Sequence, residues 1–293
     1  MNASRGLTSF PILRIIRKGV SKLTEKGTLY LLLLLGLVVY VGPLLWLLST
    51  SLKSGNARMY GFPPELIPKE PTLRNFLDAT KIFPFQQYFI NTVIVSGGTV
   101  LVQLILCALA AYPLARMNFR GKTLAFYAIL ATMIIPFHSI MIPLFVVCAR
   151  LGLVNSYAGL ILPFALDAFG VFILRQAMRG IPSELIDAAK IDGCSEWGIF
   201  ARIAIPLVRP ALATLAIFSF TTQWNAFLWP LILLTDTKLY TLQIGVMAAL
   251  APYGASWQHL AAACILTMLP VVVFFLLLQR YFMAGAMAGA LKG

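Results

Sequence analysis

Few residues in this chain could do chemistry, and none completes a catalytic set. Gly121-Lys122-Thr123 matches the last three positions of a phosphate-binding loop, G-x-x-x-x-G-K-[ST]. The first glycine of that loop would fall at position 116, which is Arg116, and no strand precedes it, so the segment reads as a short basic turn. His138 and His259 have no partner at metal-ligand or triad spacing. Cys107, Cys148, Cys194 and Cys264 lie far apart without a C-x-x-C pair, which excludes a zinc site and a disulfide framework. Asp167 is different. It interrupts an otherwise apolar stretch, where an ionised carboxylate is costly unless it faces water or a partner. It reads either as a residue of a solute path or gate, or as a group hydrogen-bonded to a neighbouring helix or protonated in place. Gln223 and Asn225 flank Trp224 and offer amides to a hydroxyl-rich solute; bridging of neighbouring helices is the favoured reading for both.

The elements that hold these residues are set by composition. Hydrophobic residues make up 60% of the 293, charged residues 11%, and mean hydropathy is +0.86. A soluble domain carries about 25% charged residues. This chain cannot cover itself with so few charges, so its surface faces lipid. The formal charge of +13 comes from 23 Lys and Arg against 10 Asp and Glu. In a soluble protein such an excess points to nucleic acid; in a membrane protein it marks cytoplasmic loops. Secreted, cytosolic and nucleic-acid-binding classes are set aside on these grounds.

A crossing helix needs about 20 mainly apolar residues, and charge-free runs supply six of them. The spacing predicts helices at Thr28–Thr50, Phe89–Tyr112, Leu124–Ala149 (bent at Pro136 or Pro143), Tyr157–Met178, Ala211–Leu234 and Leu260–Phe282. The first run is longer than the apolar part of a secretory signal and no A-x-A site follows it, so it reads as a retained anchor. With the N-terminus inside, 16 basic residues face the cytoplasm and 7 face outward, which places both termini in the cytoplasm. The expected organisation is a basic cytoplasmic segment at 1–27, a first helix at 28–50 and an outer loop at 51–88. A core at 89–282 and a cytoplasmic tail at 283–293 follow. The outer loop is rich in proline (Pro63, Pro64, Pro68, Pro71, Pro84). With the later loop carrying Tyr253, Gly254 and Trp257, it is suited to an external partner.

One polar insertion stands out, the loop 180–210 between the fourth and fifth spans. Pro182 and Ser183 start a short helix, with Ser183 as N-cap and Glu184 and Asp187 near its positive end. Leu185, Ala188, Ala189 and Ile191 share an apolar face, and Glu184, Asp187 and Lys190 lie on another. Gly193 interrupts this helix, and a second segment runs from Ser195 through Trp197 and Phe200 to Ile203, stopping before Pro206. The elbow is either an amphipathic helix resting on lipid or a docking helix for a cytoplasmic partner. Periodicity does not separate the two.

The spacing of Asp187, Ala188, Ala189, Gly193, Ile203, Ile205 and Pro206 closely resembles the EAA loop of permease subunits in binding-protein-dependent ABC importers. Asp187 stands where Glu is usual and Ile205 where Leu is usual. Ile181-Pro182-Ser183-Glu184-Leu185, Gln223-Trp224-Asn225, Leu228-Trp229-Pro230-Leu231 and the tail from Gln279 to Gly293 are similar to the carbohydrate-importer group, in particular its maltose-type inner permeases. The resemblance covers Thr28 to Gly293. It implies an all-α membrane protein with six transmembrane helices, the type I ABC importer transmembrane domain with a cytoplasmic coupling helix, in the cytoplasmic (inner) membrane. It implies partners: a second permease, two ATP-binding subunits that hold ATP and Mg, and a soluble or lipid-anchored substrate-binding protein outside. The chain itself then holds no cofactor and is no enzyme. Glu184, Asp187, Ala188, Ala189, Asp192 and Gly193 would couple to the ATPase; Asp167, Gln223 and Asn225 would line the path. The implied cargo is a sugar or oligosaccharide. Glycerol phosphate or another polar solute is the alternative, with an ion-coupled carrier further off because Asp167 alone is a thin coupling apparatus.

Overall fold

The apolar stretches become helices, though not six straight ones. The computed structural model describes residues 11–55, 65–250 and 256–290. In chain order the helices begin with α1 (Pro11–Leu52), α2 (Arg74–Ile82), α3 (Phe85–Arg116), α4 (Lys122–Ala131) and α5 (Phe137–Arg150). Next come α6 (Tyr157–Ile161), α7 (Ala168–Arg179), α8 (Ser183–Ile191), α9 (Glu196–Ile199) and α10 (Ile205–Leu207). The last are α11 (Arg209–Trp224), α12 (Leu228–Leu233), α13 (Leu242–Leu250) and α14 (Trp257–Ala290). Positions 1–10 and 291–293, and the loop residues Pro63, Pro64, Tyr253 and Gly254, lie outside the described residues.

Three spans run uninterrupted: Lys26–Leu52 (27 residues), Phe85–Arg116 (32) and Trp257–Arg280 (24). They contain the first, second and most of the sixth expected spans. Helix α1 starts at Pro11 and α14 continues to Ala290, so both run beyond the ends of the expected spans.

The other crossings are bent. Lys122–Ile134 and Phe137–Arg150 meet at 104°. The break is at Pro136, which holds Ile135 in extended backbone at φ −83°, ψ 115°, as a residue before proline prefers. Pro143 sits inside α5 without ending it. Tyr157–Phe164 and Ala168–Arg179 meet at 47°, with Asp167 extended between them. The fifth expected span, Ala211–Leu234, is not one helix. It ends at Trp224, where Asn225 Nδ2 donates to the Thr221 carbonyl (2.8 Å), and resumes as α12. Pro230 has no N–H for the Ala226 carbonyl, so a continuous helix would lose a bond there.

The long helix α3 is the axis of the fold, packing against α7, α11 and α13, while α14 joins α1, α2 and α11. Small residues let these helices approach. A Cβ on Gly170 would fall 2.9 Å from Cys107 Sγ and 3.0 Å from the Leu215 side chain. Away from these contacts, Leu29 to Leu35 and Leu37 to Tyr40 of α1 are 55% or more exposed, apart from the intervening glycine. A contiguous apolar surface of that kind is stable only against lipid or another membrane helix. Lys53, one of the seven basic residues expected to face outward, is buried at 1% exposure, with its ammonium 4.4 Å from the Trp46 ring centroid.

Candidate functional site

The loop 180–210 folds as an elbow of two short arms. The first helix, α8, begins one residue earlier than the sequence suggests: Pro182, in extended backbone, takes the cap position, and Ser183 is inside the helix without a capping bond. Its end is built by Gly193 at φ +79°, a left-handed conformation that side chains resist. There the Gly193 N–H donates to the Lys190 carbonyl (3.0 Å) and the Cys194 N–H to the Ala189 carbonyl (2.9 Å). These paired bonds form a Schellman cap, which satisfies carbonyls a helix end otherwise leaves open. Ser195 then caps the second arm, its Oγ accepting from the Gly198 N–H at 3.2 Å. That arm does not stop before Pro206. It passes through a π-helix at Phe200–Ala204 and ends as α10, with Pro206 at the second residue of that final stretch.

The elbow has two apolar faces, not the single one expected. Ile186 and Ala189 are buried (6% and 8% exposed), packed in the cluster that holds Tyr112, Met178, Ile199 and Phe200. Leu185, Ala188 and Ile191 point out, Ile191 with 87% exposure, and Trp197 beyond the turn is 66% exposed. Of the six residues singled out for coupling, Glu184, Asp187, Ala188, Asp192 and Gly193 are on the surface. Ala189 is not: its side chain fixes α8 to the body. Ala189 is thus on the opposite face from the one expected and Ile186 joins it there, because a short amphipathic helix with apolar residues at 185, 186, 188, 189 and 191 has no unique inward face.

The elbow is tied to α3 by Glu196, which sequence reasoning did not find. Its carboxylate accepts from the Tyr112 hydroxyl at 2.8 Å and pairs with the Lys190 ammonium at 2.9 Å. Hydrogen bonds from Lys190 and Tyr112 hold the Glu196 carboxyl below the ordinary carboxylate range. Tyr112 and Glu196 are separated by 84 positions, so no spacing signal could pair them. Below the elbow, Arg116 Nε donates to the Met178 carbonyl (2.8 Å) and its Nη2 to that of Ile181, while Arg175 Nε donates to the Leu114 carbonyl (3.0 Å). Each of α3 and α7 therefore supplies the cation that closes the other's C-terminal carbonyls.

Asp167 is a helix cap. Its Oδ2 accepts from the Gly170 N–H (2.8 Å), and its carbonyl accepts from the Cys107 thiol (3.4 Å). Gln103 donates to the Phe164 carbonyl (2.6 Å), so two polar side chains of the core close the break in the fourth span. Gln223 is buried at the end of α11, whereas Asn225 is exposed and caps its own helix. No hydrogen bond among the described residues joins either to Asp167. Neither histidine belongs to a cluster of three potential metal ligands among the described residues; His259 Nε2 lies 3.9 Å from Asp78 Oδ2.

Residues 103–286, which contain the elbow, the capped break and the last span, match the family of binding-protein-dependent transport system inner membrane components. The chain belongs to that family. It is a permease subunit of the membrane, crossing it several times, and not an enzyme. The permease is 39% identical over 257 residues to the arabinooligosaccharides transport system permease of Halalkalibacterium halodurans, covering 87% of this chain and 92% of the relative. It is 37% identical to the melibiose/raffinose/stachyose import permease of Bacillus subtilis (86% and 91% covered). It is 35% identical to the diacetylchitobiose uptake permease of Streptomyces coelicolor (85% and 83% covered). Among solved structures, the permease fold is shared with a chain of a bacterial ABC transporter that imports the acidic polysaccharide alginate. That match has a TM-score of 0.75 at 23% identity, with 94% of this chain and 100% of that chain covered. Permease subunits of this kind carry no cofactor of their own.

Proposed function

We propose that this permease forms half of the membrane path of an ATP-driven importer for a sugar or oligosaccharide. The similarity to the arabinooligosaccharide permease, across nearly the whole length of both chains, carries the reading. A second permease completes the path, two ATP-binding subunits sit against the elbow, and a binding protein delivers solute from the opposite side. The excess of basic residues on the elbow side orients that side to the cytoplasm, together with both termini. Leu185, Ala188 and Ile191 form the outward apolar edge that enters a groove on the ATPase, with Glu184, Asp187, Asp192 and Gly193 around it. The buried pair Ile186 and Ala189, with Glu196, passes the resulting push to α3. Asp167 shapes the break in the fourth span and does not act as a coupling carboxylate.

The reading is tested in proteoliposomes containing the permease with its companion permease, ATPase and binding protein. Labelled arabino-oligosaccharide should enter only with ATP. Ile191→Asp should leave the permease folded and inserted but remove ATPase association and uptake, whereas Ile186→Asp should prevent stable folding. Uptake without ATP, or full uptake by the Ile191→Asp form, defeats the proposal.

A further inference from the structure

We propose that the basic turn between α3 and α4 is a binding site for the phosphate headgroup of an anionic phospholipid, in the leaflet on the elbow side. The turn contains Gly121-Lys122-Thr123, which transport by the elbow leaves without a role. Cations gather here: Lys122, at the start of α4, with Arg175 and Arg179 from the last turns of α7, and Arg120 two positions before Lys122 in the turn. Arg116, Arg175 and Arg179 lie near enough to repel the Lys122 ammonium, and Arg179 repels Arg175 in the same way. Like charges gather at such distances only where something anionic or much water offsets them.

No acidic side chain among the described residues supplies that anion in an ion pair. Between Asp78 and Asp167 the chain has no acidic residue. None of the four cations is in an ion pair among the described residues. Lys122 instead donates to the Met117 carbonyl at 2.8 Å, and the Arg175 guanidinium lies 3.7 Å from the Phe126 ring centroid. These contacts hold the two cations in place without neutralising them. Arg120 and Arg179 are exposed.

What lies beside the charges selects a lipid over a soluble protein. Leu124 and Tyr127 are 76% and 62% exposed on the first turns of α4, and the exposed face continues along the third span to Ile134 at 81%. An aromatic and long apolar side chains directly below a ring of cations is the arrangement of a membrane boundary, where headgroups meet acyl chains. An acyl chain lies along Leu124, Tyr127 and Ile134 while its phosphate sits among the cations. Each cation near an anionic surface strengthens such binding roughly fivefold.

The full-length chain is placed in nanodiscs holding equal amounts of phosphatidylglycerol and phosphatidylcholine. It is then released gently, and the retained lipid is counted by native mass spectrometry. The unmodified chain should retain phosphatidylglycerol in clear preference. Arg120→Gln with Arg179→Gln should bring retention of the two lipids level, and Arg120→Lys with Arg179→Lys should keep the preference. Both side chains are exposed and outside the packed core, and unchanged helical circular dichroism verifies that the variants fold. Excess inorganic phosphate should leave retention unaltered. Equal retention by the unmodified chain, or a preference that survives the double Gln change, overturns the proposal. So does displacement by free phosphate, which would make this a site for a soluble anion. A double Gln variant that keeps its lipid but no longer binds the ATPase would assign the cations to that partner and would overturn it as well.

Discussion

Gly193 shows how one backbone angle fixes the geometry of the elbow proposed to dock the ATPase. At φ +79° it lets the chain reverse within the Schellman cap, and nothing stands within 4 Å of the place a Cβ would occupy. Strain, not crowding, therefore sets the cost of replacement. Gly193→Ala should destabilise the elbow by about 1–2 kcal/mol, and Gly193→Asn by less, since asparagine tolerates this region. Uptake by the reconstituted importer should fall in the order Gly, Asn, Ala, and equal rates for all three would show that the turn does not set coupling. Asp167 gives the opposite case, a charged residue whose visible task needs no charge. Its Oδ2 accepts one N–H bond, which an asparagine amide oxygen replaces. Asp167→Asn should therefore retain uptake and melting temperature, while Asp167→Ala loses about 1 kcal/mol with its cap. A large loss of uptake in a well-folded Asn form would return Asp167 to the solute path. The turn at Gly193 was legible because glycine between two amphipathic stretches has a local cause. The cap was not, because its partner N–H exists only once the span breaks at Asp167.

At the scale of elements, the crossings were legible as apolar runs, since length and charge suffice to mark a span. Their bends were legible only at Pro136, where the ring itself forbids the helix. The division of α11 from α12 and the π-helix were not, because both depend on which carbonyls find other partners. Close packing is likewise invisible without neighbours. Gly170 sets the separation of α7 from α3 and α11, so Gly170→Leu should cost about 1–3 kcal/mol by overpacking against Cys107 and Leu215. Adding Leu215→Ala should recover part of the lost melting temperature; no recovery would mean that the clash lies elsewhere. The tie between elbow and α3 should also depend on pH. Because the Glu196 carboxyl sits below its ordinary range when folded, its contribution is complete above the unfolded value and is lost as pH falls through the folded one. Protection of the α8 and α9 amides, taken relative to the intrinsic exchange rate at each pH, should fall on acidification in that window. In the Glu196→Gln form this acid step should vanish, and its persistence would place the titrating group elsewhere.

Across the whole molecule, the push on the elbow that the proposed function requires would reach the membrane by two routes. One is the packed face of Ile186, Ala189 and Phe200 against α3 and α7. The other is the chain itself, which leaves the elbow at Val208 and turns 73° into α11. Pro210 favours that turn, because it has no N–H to offer the carbonyl of Pro206 and a straight path from α10 into α11 would lose that bond. Beyond it, α11 is anchored to α14 by Trp224, which is 1% exposed and donates from Nε1 to the Thr267 carbonyl at 2.8 Å. A movement of the elbow is thus delivered as a tilt of packed helices, as rigid-body alternating access requires. Replacing the proline tests whether the fixed bend matters. Pro210→Ala restores the missing donor and permits a straighter path while leaving the outward edge of Leu185, Ala188 and Ile191 untouched. The reconstituted importer should still assemble and hydrolyse ATP, but more ATP should be consumed for each solute molecule moved, by roughly the fivefold that about 1 kcal/mol of lost coupling represents. If the ratio of hydrolysis to uptake stays at its original value, the bend is only a feature of folding, and the push travels through the α3–α7 face alone.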